Sequence, residues 1–244
     1  MSKSILIIGG TSDIGIAVAK KFASHDYNVF LAARNVQSLD LVKKDLEFNK
    51  KVKVTPLKLD ILDTNSYKAF LDNFEKIPEV VVCSVGYMGD QFINEKSLHE
   101  RNLVMKTNYE GPVNFLSEIA NHFEKKQAGT IIGISSVAGD RGRAINYIYG
   151  SAKSGFTAFL SGLRNRLYKN NVKVITILPG PVETKMTKGL KLPKFLTSKP
   201  KFVADEIYKA VFNEKDIVYV KPIWRLVMLI IKIVPEKIFK SKNF

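Results

Sequence analysis

The chain has 244 residues, 45% of them hydrophobic, and a formal net charge of +15. That length holds one large α/β domain or two small ones, and the apolar share suffices for a full core. The basic excess favours an anionic partner: nucleic acid, an anionic membrane surface or a phosphorylated substrate. The one cysteine, Cys83, excludes an intrachain disulfide and fits a reducing compartment. The stretch "MSKSILIIGG" enters a strand-like run without the regions of a signal peptide. No segment reaches the roughly 18 uncharged apolar residues of a spanning helix, so a cytoplasmic protein is expected.

In chain order, the first strand is "SILII" (4–8), and "IIGGTSDIG" follows it. Glycines at 9, 10 and 15 precede a helix expected over 13–24, with Ile14, Ala17, Val18 and Phe22 at helical spacing. Such a turn lets backbone N–H groups approach a pyrophosphate at the positive end of the helix. Gly9, Thr11, Asp13, Ile14 and Gly15 are therefore candidate cofactor contacts; the bland alternative is an ordinary strand-to-helix turn. Asp13 suits the helix dipole and is placed to cap the helix. The second strand, "NVFLAA" (28–33), ends at Arg34. An acid there would bind a ribose 2′-hydroxyl, whereas an arginine suits a 2′-phosphate. "FLAARN" contains no acid, so NADP(H) is favoured over NAD(H); the alternative is a solvated surface arginine.

Further strands read as "VKVTPL" (52–57), "EVVVCS" (79–84), "GTIIGIS" (129–135), "VKVITIL" (172–178) and "DIVYV" (216–220). They are continuous and β-branched, as strands buried on both faces of a parallel sheet are. Helices are expected over 64–75, 107–125, 148–169 and 201–213. This alternation implies one doubly wound sheet of about seven strands. One domain is expected over 1–221, with a lid at 184–201 and a tail at 222–244.

Within "ISSVAG" and "YGSAK", Ser136 ends a strand, while Tyr149 and Lys153 share one helix face. The carboxyl ends of strands line the ligand crevice of such a sheet. A hydroxyl there can hold a carbonyl while Tyr149 donates a proton, with a nearby ammonium lowering the tyrosine pKa. Singly, Y-x-x-x-K is as well read as a helix surface; the combination with Ser136 and the glycine turn is far more specific. No metal site is expected.

These motifs resemble the short-chain dehydrogenases/reductases to about residue 221, which implies a Rossmann-like fold. The resemblance implies that Tyr149 is the acid–base, that Lys153 lowers its pKa and binds the nicotinamide ribose, and that Ser136 polarises the carbonyl. It also implies that Asn108 in "KTNYEGP" supports a water relay and that Asp60 in "LKLD" contacts adenine. In "PGPVETKM", Pro179, Gly180, Val182 and Thr184 would meet the cofactor, Thr184 at its nicotinamide end. The sequence departs from the family at Asp13, where a glycine is usual. The family's N-N-A-G after the fourth strand reads here as Cys83, Ser84, Val85 and Gly86, of which Gly86 keeps the glycine and is a candidate cofactor contact.

The remaining basic features bear on substrate. Arg141 and Arg143 lie between the catalytic serine and tyrosine, near the mouth of the site. Residues 185–201 carry six lysines and no acid. In the tail, Pro222 opens a helix and Pro235 ends it. Twelve residues span roughly 18 Å, short of a ~30 Å hydrocarbon core. Lys221, Arg225 and Lys232 form one stripe, which suits a helix lying in a membrane interface. The alternative is docking on the protein's own core or on a second subunit, a homo-oligomer being expected. The lysines lack the stacking aromatics of a nucleic-acid binder.

A narrower resemblance, carried by "GGTSDIG", "AGDRGRAINYIYGSAKSG" and the tail, is to the reductase components of decaprenylphosphoryl-ribose 2′-epimerase. It implies a 2-keto pentose carried on a polyprenyl phosphate, made by a flavin oxidase partner and met at the cytoplasmic membrane face. The alternatives are a generic carbonyl reductase, such as a 3-oxoacyl-carrier-protein reductase, and a dinucleotide-sensing protein that does no chemistry.

Overall fold

The computed structural model describes residues 3–50, 52–190 and 193–241. Lys191 and Leu192 of the expected lid, and residues 242–244 of the tail, lie outside the described residues. In chain order the elements are β1 (Ser4–Ile8), α1 (Asp13–Ala23), β2 (Asn28–Ala33), α2 (Asp40–Lys50), β3 (Val54–Lys58), α3 (Tyr67–Leu71) and β4 (Val80–Cys83). Then come α4 (Gln91–Asn94), α5 (Leu98–Met105), α6 (Gly111–Lys126), β5 (Gly129–Ile134), α7 (Tyr147–Leu167) and β6 (Val172–Leu178). The chain closes with α8 (Pro200–Phe212), β7 (Ile217–Tyr219), α9 (Ile223–Ile233) and α10 (Glu236–Phe239).

The described strands pair in parallel as one seven-stranded sheet, in the order β3-β2-β1-β4-β5-β6-β7. The pleat sends alternate side chains to opposite faces, so each strand feeds two cores. Ile5 and Ile7 pack with Val18, Phe22 and Ile207 on one face. Leu6 and Ile8 pack with Phe115, Ile119 and Leu160 on the other. Each such side chain, fully buried, contributes about 1.5–3 kcal/mol. Strand order reverses between β1 and β4, and a crevice opens there beyond the carboxyl ends of the strands.

Three departures from the sequence reading have local causes. The helix expected over 64–75 is a 3₁₀ turn followed by the short α3. The Asn73 amide donates to the Ala69 and Phe70 carbonyls and ends it. The helix expected from 107 begins instead with a π-helical segment, Lys106–Glu110. Finally, α2 was not among the expected helices: it is rich in charge, Leu46 is its one buried residue, and Leu41 and Phe48 are exposed.

Candidate active site

The turn after β1 is built for a close ligand. Gly9 has φ +84°, and a Cβ there would stand 2.8 Å from the Ser84 carbonyl oxygen. A Cβ on Gly15 would stand 2.5 Å from the Gly9 carbonyl. Ser12 caps α1, its Oγ accepting the Gly15 N–H at 2.9 Å, and its hydroxyl meets that of Ser84 at 2.8 Å. Asp13 therefore does not cap the helix. Its carboxylate accepts the Lys185 N–H at 2.7 Å and ties α1 to the loop after β6.

Two chambers meet at Thr11, Ser12 and residues 84–86. The outer chamber, about 370 Å³, is lined by Gly9, Arg34, Asp60 and Gly86 among others. The inner chamber, about 400 Å³, gathers Asp13, Ile14, Ser136, Tyr149, Lys153, Pro179, Gly180, Val182 and Thr184. Gly15 and Asn108 line neither; Gly15 supports the turn from behind, and Asn108 sits behind Gly86. The donor set fits a dinucleotide. A backbone cradle that side chains would fill stands at a helix N-terminus, with Arg34 at the end of β2 and a polar pocket beyond it.

Ser136 leaves β5 in extended conformation, and its Oγ accepts the Ala138 N–H at 3.1 Å. The first turn of α7 comes close because residue 150 is glycine; a Cβ there would lie 2.8 Å from the Ala138 carbonyl. This approach sets the Tyr149 hydroxyl beside Ser136, whose side chain favours the phenolate. One turn on, Lys153 is 3% exposed, and its Nζ donates to the Ile134 carbonyl at 3.1 Å. That nitrogen stands 5.8 Å from the Tyr149 ring centre.

The electrostatics differ from the sequence reading. Burial pushes the Tyr149 hydroxyl up to about 12. Burial pulls Lys153 down to about 8. Desolvation thus governs the tyrosine, with Ser136 as the one group that opposes it, and the Lys153 ammonium donates to a backbone carbonyl instead. A phenol held protonated across neutral pH is set to donate a proton. Asn108, fully buried in the π-helical segment, donates to the Tyr87 carbonyl at 2.5 Å and the Val104 carbonyl at 2.8 Å. Both amide hydrogens are engaged, so it fixes the Gly86–Tyr87 turn.

The inner chamber has walls that sequence reasoning missed. Trp224 of α9 lies over Gly180, where a Cβ would come 2.0 Å from its Nε1, and its indole donates to the Leu196 carbonyl at 3.1 Å. A lone tryptophan in an aliphatic tail was the available signal. With Met228 it packs on Val137 and Leu178, so the tail helix closes one side of the site.

The two arginines part company. Arg141 turns from the mouth to the tail: it donates to the Ile231 carbonyl at 2.5 Å and the Val234 carbonyl at 2.6 Å. It also pairs with Glu236 at 2.8 Å and stacks 3.7 Å above the Phe239 ring. Arg143 instead lines the inner chamber. The basic stripe of the tail also faces the protein: Lys221 donates to the Phe195 and Thr197 carbonyls, and Lys232 pairs with Asp140 at 3.3 Å. Arg225 stays exposed. Apart from Arg225 and the half-exposed Lys232, what α9 turns outward is aliphatic, with Leu226, Ile230 and Ile233 at 59%, 51% and 70% exposure. Lid lysines 185, 188 and 194 line an adjoining groove. Among the described residues, no helix is long and apolar enough to cross a membrane.

The parallel sheet and the cleft at its switch point define an α/β fold of the nucleotide-binding class. The chain belongs to the short-chain dehydrogenases: the family model "short chain dehydrogenase" matches residues 3–194. It is 32% identical to an uncharacterized oxidoreductase of Streptomyces coelicolor over 98% of this chain and 95% of that one. It is 31% identical to the 3-oxoacyl-[acyl-carrier-protein] reductase of Chlamydia muridarum over 78% of each chain. Its fold matches a short-chain dehydrogenase from Sphingobium yanoikuyae in complex with NADPH, with a TM-score of 0.80 at 18% identity, covering 96% of this chain and 97% of the other.

Proposed function

We propose that the protein is an NADP(H)-dependent reductase of a ketone carried on a lipid phosphate, in its narrowest form a 2-keto pentose on a polyprenyl phosphate. A flavin oxidase would supply the ketone, and the reduction would complete an epimerisation. One observation carries this reading: α9 supplies Trp224 to the chamber that holds Tyr149, while the same helix exposes Leu226, Ile230 and Ile233. An isoprenoid chain leaving the chamber would meet an apolar surface at its mouth, and a membrane would meet the same surface.

The turn of Gly9, Thr11, Asp13, Ile14 and Gly15 would hold the pyrophosphate on backbone N–H groups. Arg34 would meet a 2′-phosphate, which favours NADPH over NADH, and Asp60 the adenine side. Gly86, Lys153, Pro179, Gly180, Val182 and Thr184 would flank the nicotinamide half. When bound, the dihydronicotinamide supplies a hydride to the carbonyl carbon. Ser136 holds the carbonyl oxygen, and Tyr149 gives it the proton.

The test is NADPH oxidation with a farnesylphosphoryl 2-keto pentose, beside the same sugar without its lipid phosphate, each repeated with NADH. Turnover that requires the lipid phosphate and prefers NADPH is expected. Equal turnover with the bare sugar would overturn the lipid reading. A second reading is favoured by the 31% identical Chlamydia muridarum relative: reduction of a 3-oxoacyl group on an acidic carrier protein. On that reading the basic surface meets the carrier, and the face of α9 pairs with a second copy.

A further inference from the structure

We propose that Arg143 recognises the substrate, setting its guanidinium against an anionic oxygen, such as a phosphate, beside the reacting carbonyl. The inference rests on the reading that the inner chamber holds the keto substrate, and it adds which residue selects that substrate and by what chemistry.

Arg141 and Arg143 sit two residues apart on one loop but meet different fates. The Arg141 guanidinium is satisfied by two carbonyls and Glu236. Arg143 lines the chamber with Ser136 and Tyr149, and its Nε is buried without a hydrogen-bond partner. The carboxylate that acts on it through space, Asp140, is already taken, accepting from the Tyr219 hydroxyl at 2.8 Å and pairing with Lys232 at 3.3 Å. Burial pulls the guanidinium below its ordinary value, yet an arginine stays charged at neutral pH. A charge drawn from water with a donor left unmatched is costly, and a bound anion offsets that cost.

The guanidinium fork matches two oxygens of one phosphate. A second unmatched group sharpens the ligand. The Asn146 Oδ1, on the same chamber wall, is also buried without a partner. An acceptor beside a cation suits a hydroxyl beside a phosphate, which is the pattern of a phosphorylated sugar and not of a plain acyl ketone. Arg143 lines the inner chamber and not the outer one, and it lies on the connection between Ser136 and Tyr149. It therefore shares a chamber, and a stretch of chain, with the two hydroxyls that meet the carbonyl.

Trp224, the one tryptophan of the chain, lines the same chamber and reports on its occupancy. The experiment titrates full-length protein with farnesyl phosphate, D-ribulose 5-phosphate and farnesol, following tryptophan fluorescence. It uses the wild type, Arg143→Gln and Arg143→Lys, with NADPH affinity measured on each as the check that the site is intact. Farnesyl phosphate should bind the wild type and lose roughly tenfold or more in affinity in Arg143→Gln. Arg143→Lys should recover part of the loss, and NADPH affinity should hold throughout. Equal affinity of wild type and Arg143→Gln for farnesyl phosphate overturns the proposal, as does farnesol binding as tightly as its phosphate. If D-ribulose 5-phosphate binds as tightly as farnesyl phosphate, with the same dependence on Arg143, the anion site stands and the lipid reading falls.

Discussion

Tyr149 and Lys153 pull in opposite directions from their ordinary values, and both for the same reason, burial. Replacing Tyr149 by Phe should cut turnover about 10²–10⁴-fold with NADPH affinity intact, read from single-turnover kinetics and a binding titration. A dinucleotide sensor would lose nothing. The pair also sets a pH signature of stability. Lys153 titrates at about 8 in the fold, below the ~10.4 of a free lysine. Between those values the unfolded chain binds more protons, so stability rises with pH there. Tyr149, at about 12 in the fold against ~10 when free, reverses the slope above pH ~10. Melting of the cofactor-free protein should therefore climb from pH 8 to about 9, above which the buried Cys83 thiol, pushed up to about 11, opposes the climb, and Lys153→Met should abolish that climb. A climb unchanged in the variant would refute the assignment. Ser136, Tyr149 and Lys153 were legible because their spacing maps onto a strand end and one helix face. The fates of Arg141 and Arg143 were not, since a loop has no period to say which side chain turns inward.

At the scale of elements, the strands were legible because burial on both faces leaves continuous apolar runs. Helix α2 was hidden because its buried stripe is one residue wide. The docking of α9 stood in the sequence only as the alternative to a membrane interface: Lys221 and Lys232 bond the protein, Arg225 stays exposed, and the aliphatic Leu226, Ile230 and Ile233 face out. Two substitutions test that docking. Arg141→Ala removes charge-assisted bonds to the end of α9, worth about 2 kcal/mol. Limited proteolysis should then cut near residues 231–236 while the remainder stays folded. Gly180→Ala drives a methyl group into the Trp224 indole. It should lower Tm by several degrees and displace the tryptophan, seen as a red-shifted emission. An unshifted spectrum would mean that the indole does not sit on Gly180.

For the whole molecule, the +15 charge and the outward face of α9 make a joint prediction. Replacing Leu226, Ile230 and Ile233 together by Ser should weaken binding to vesicles of anionic lipid roughly a hundredfold or more. Binding that remains in the triple variant should fall as salt is raised. Vesicle binding unchanged by the triple substitution, with self-association lost in sedimentation, would assign the face to a second copy of the chain.

The same helix closes the reaction chamber from one side and offers its other side to the outside. Through Trp224 the two faces belong to one helix, so a ligand that shifts the helix from either side would be felt on the other. Whatever coupling free energy an engaged outer face adds to substrate affinity, bound substrate must return in full to the affinity for the surface. On the lipid-phosphate reading, release of the reduced product would then weaken the enzyme's hold on that surface, and occupancy of the chamber would tune how long the protein stays there.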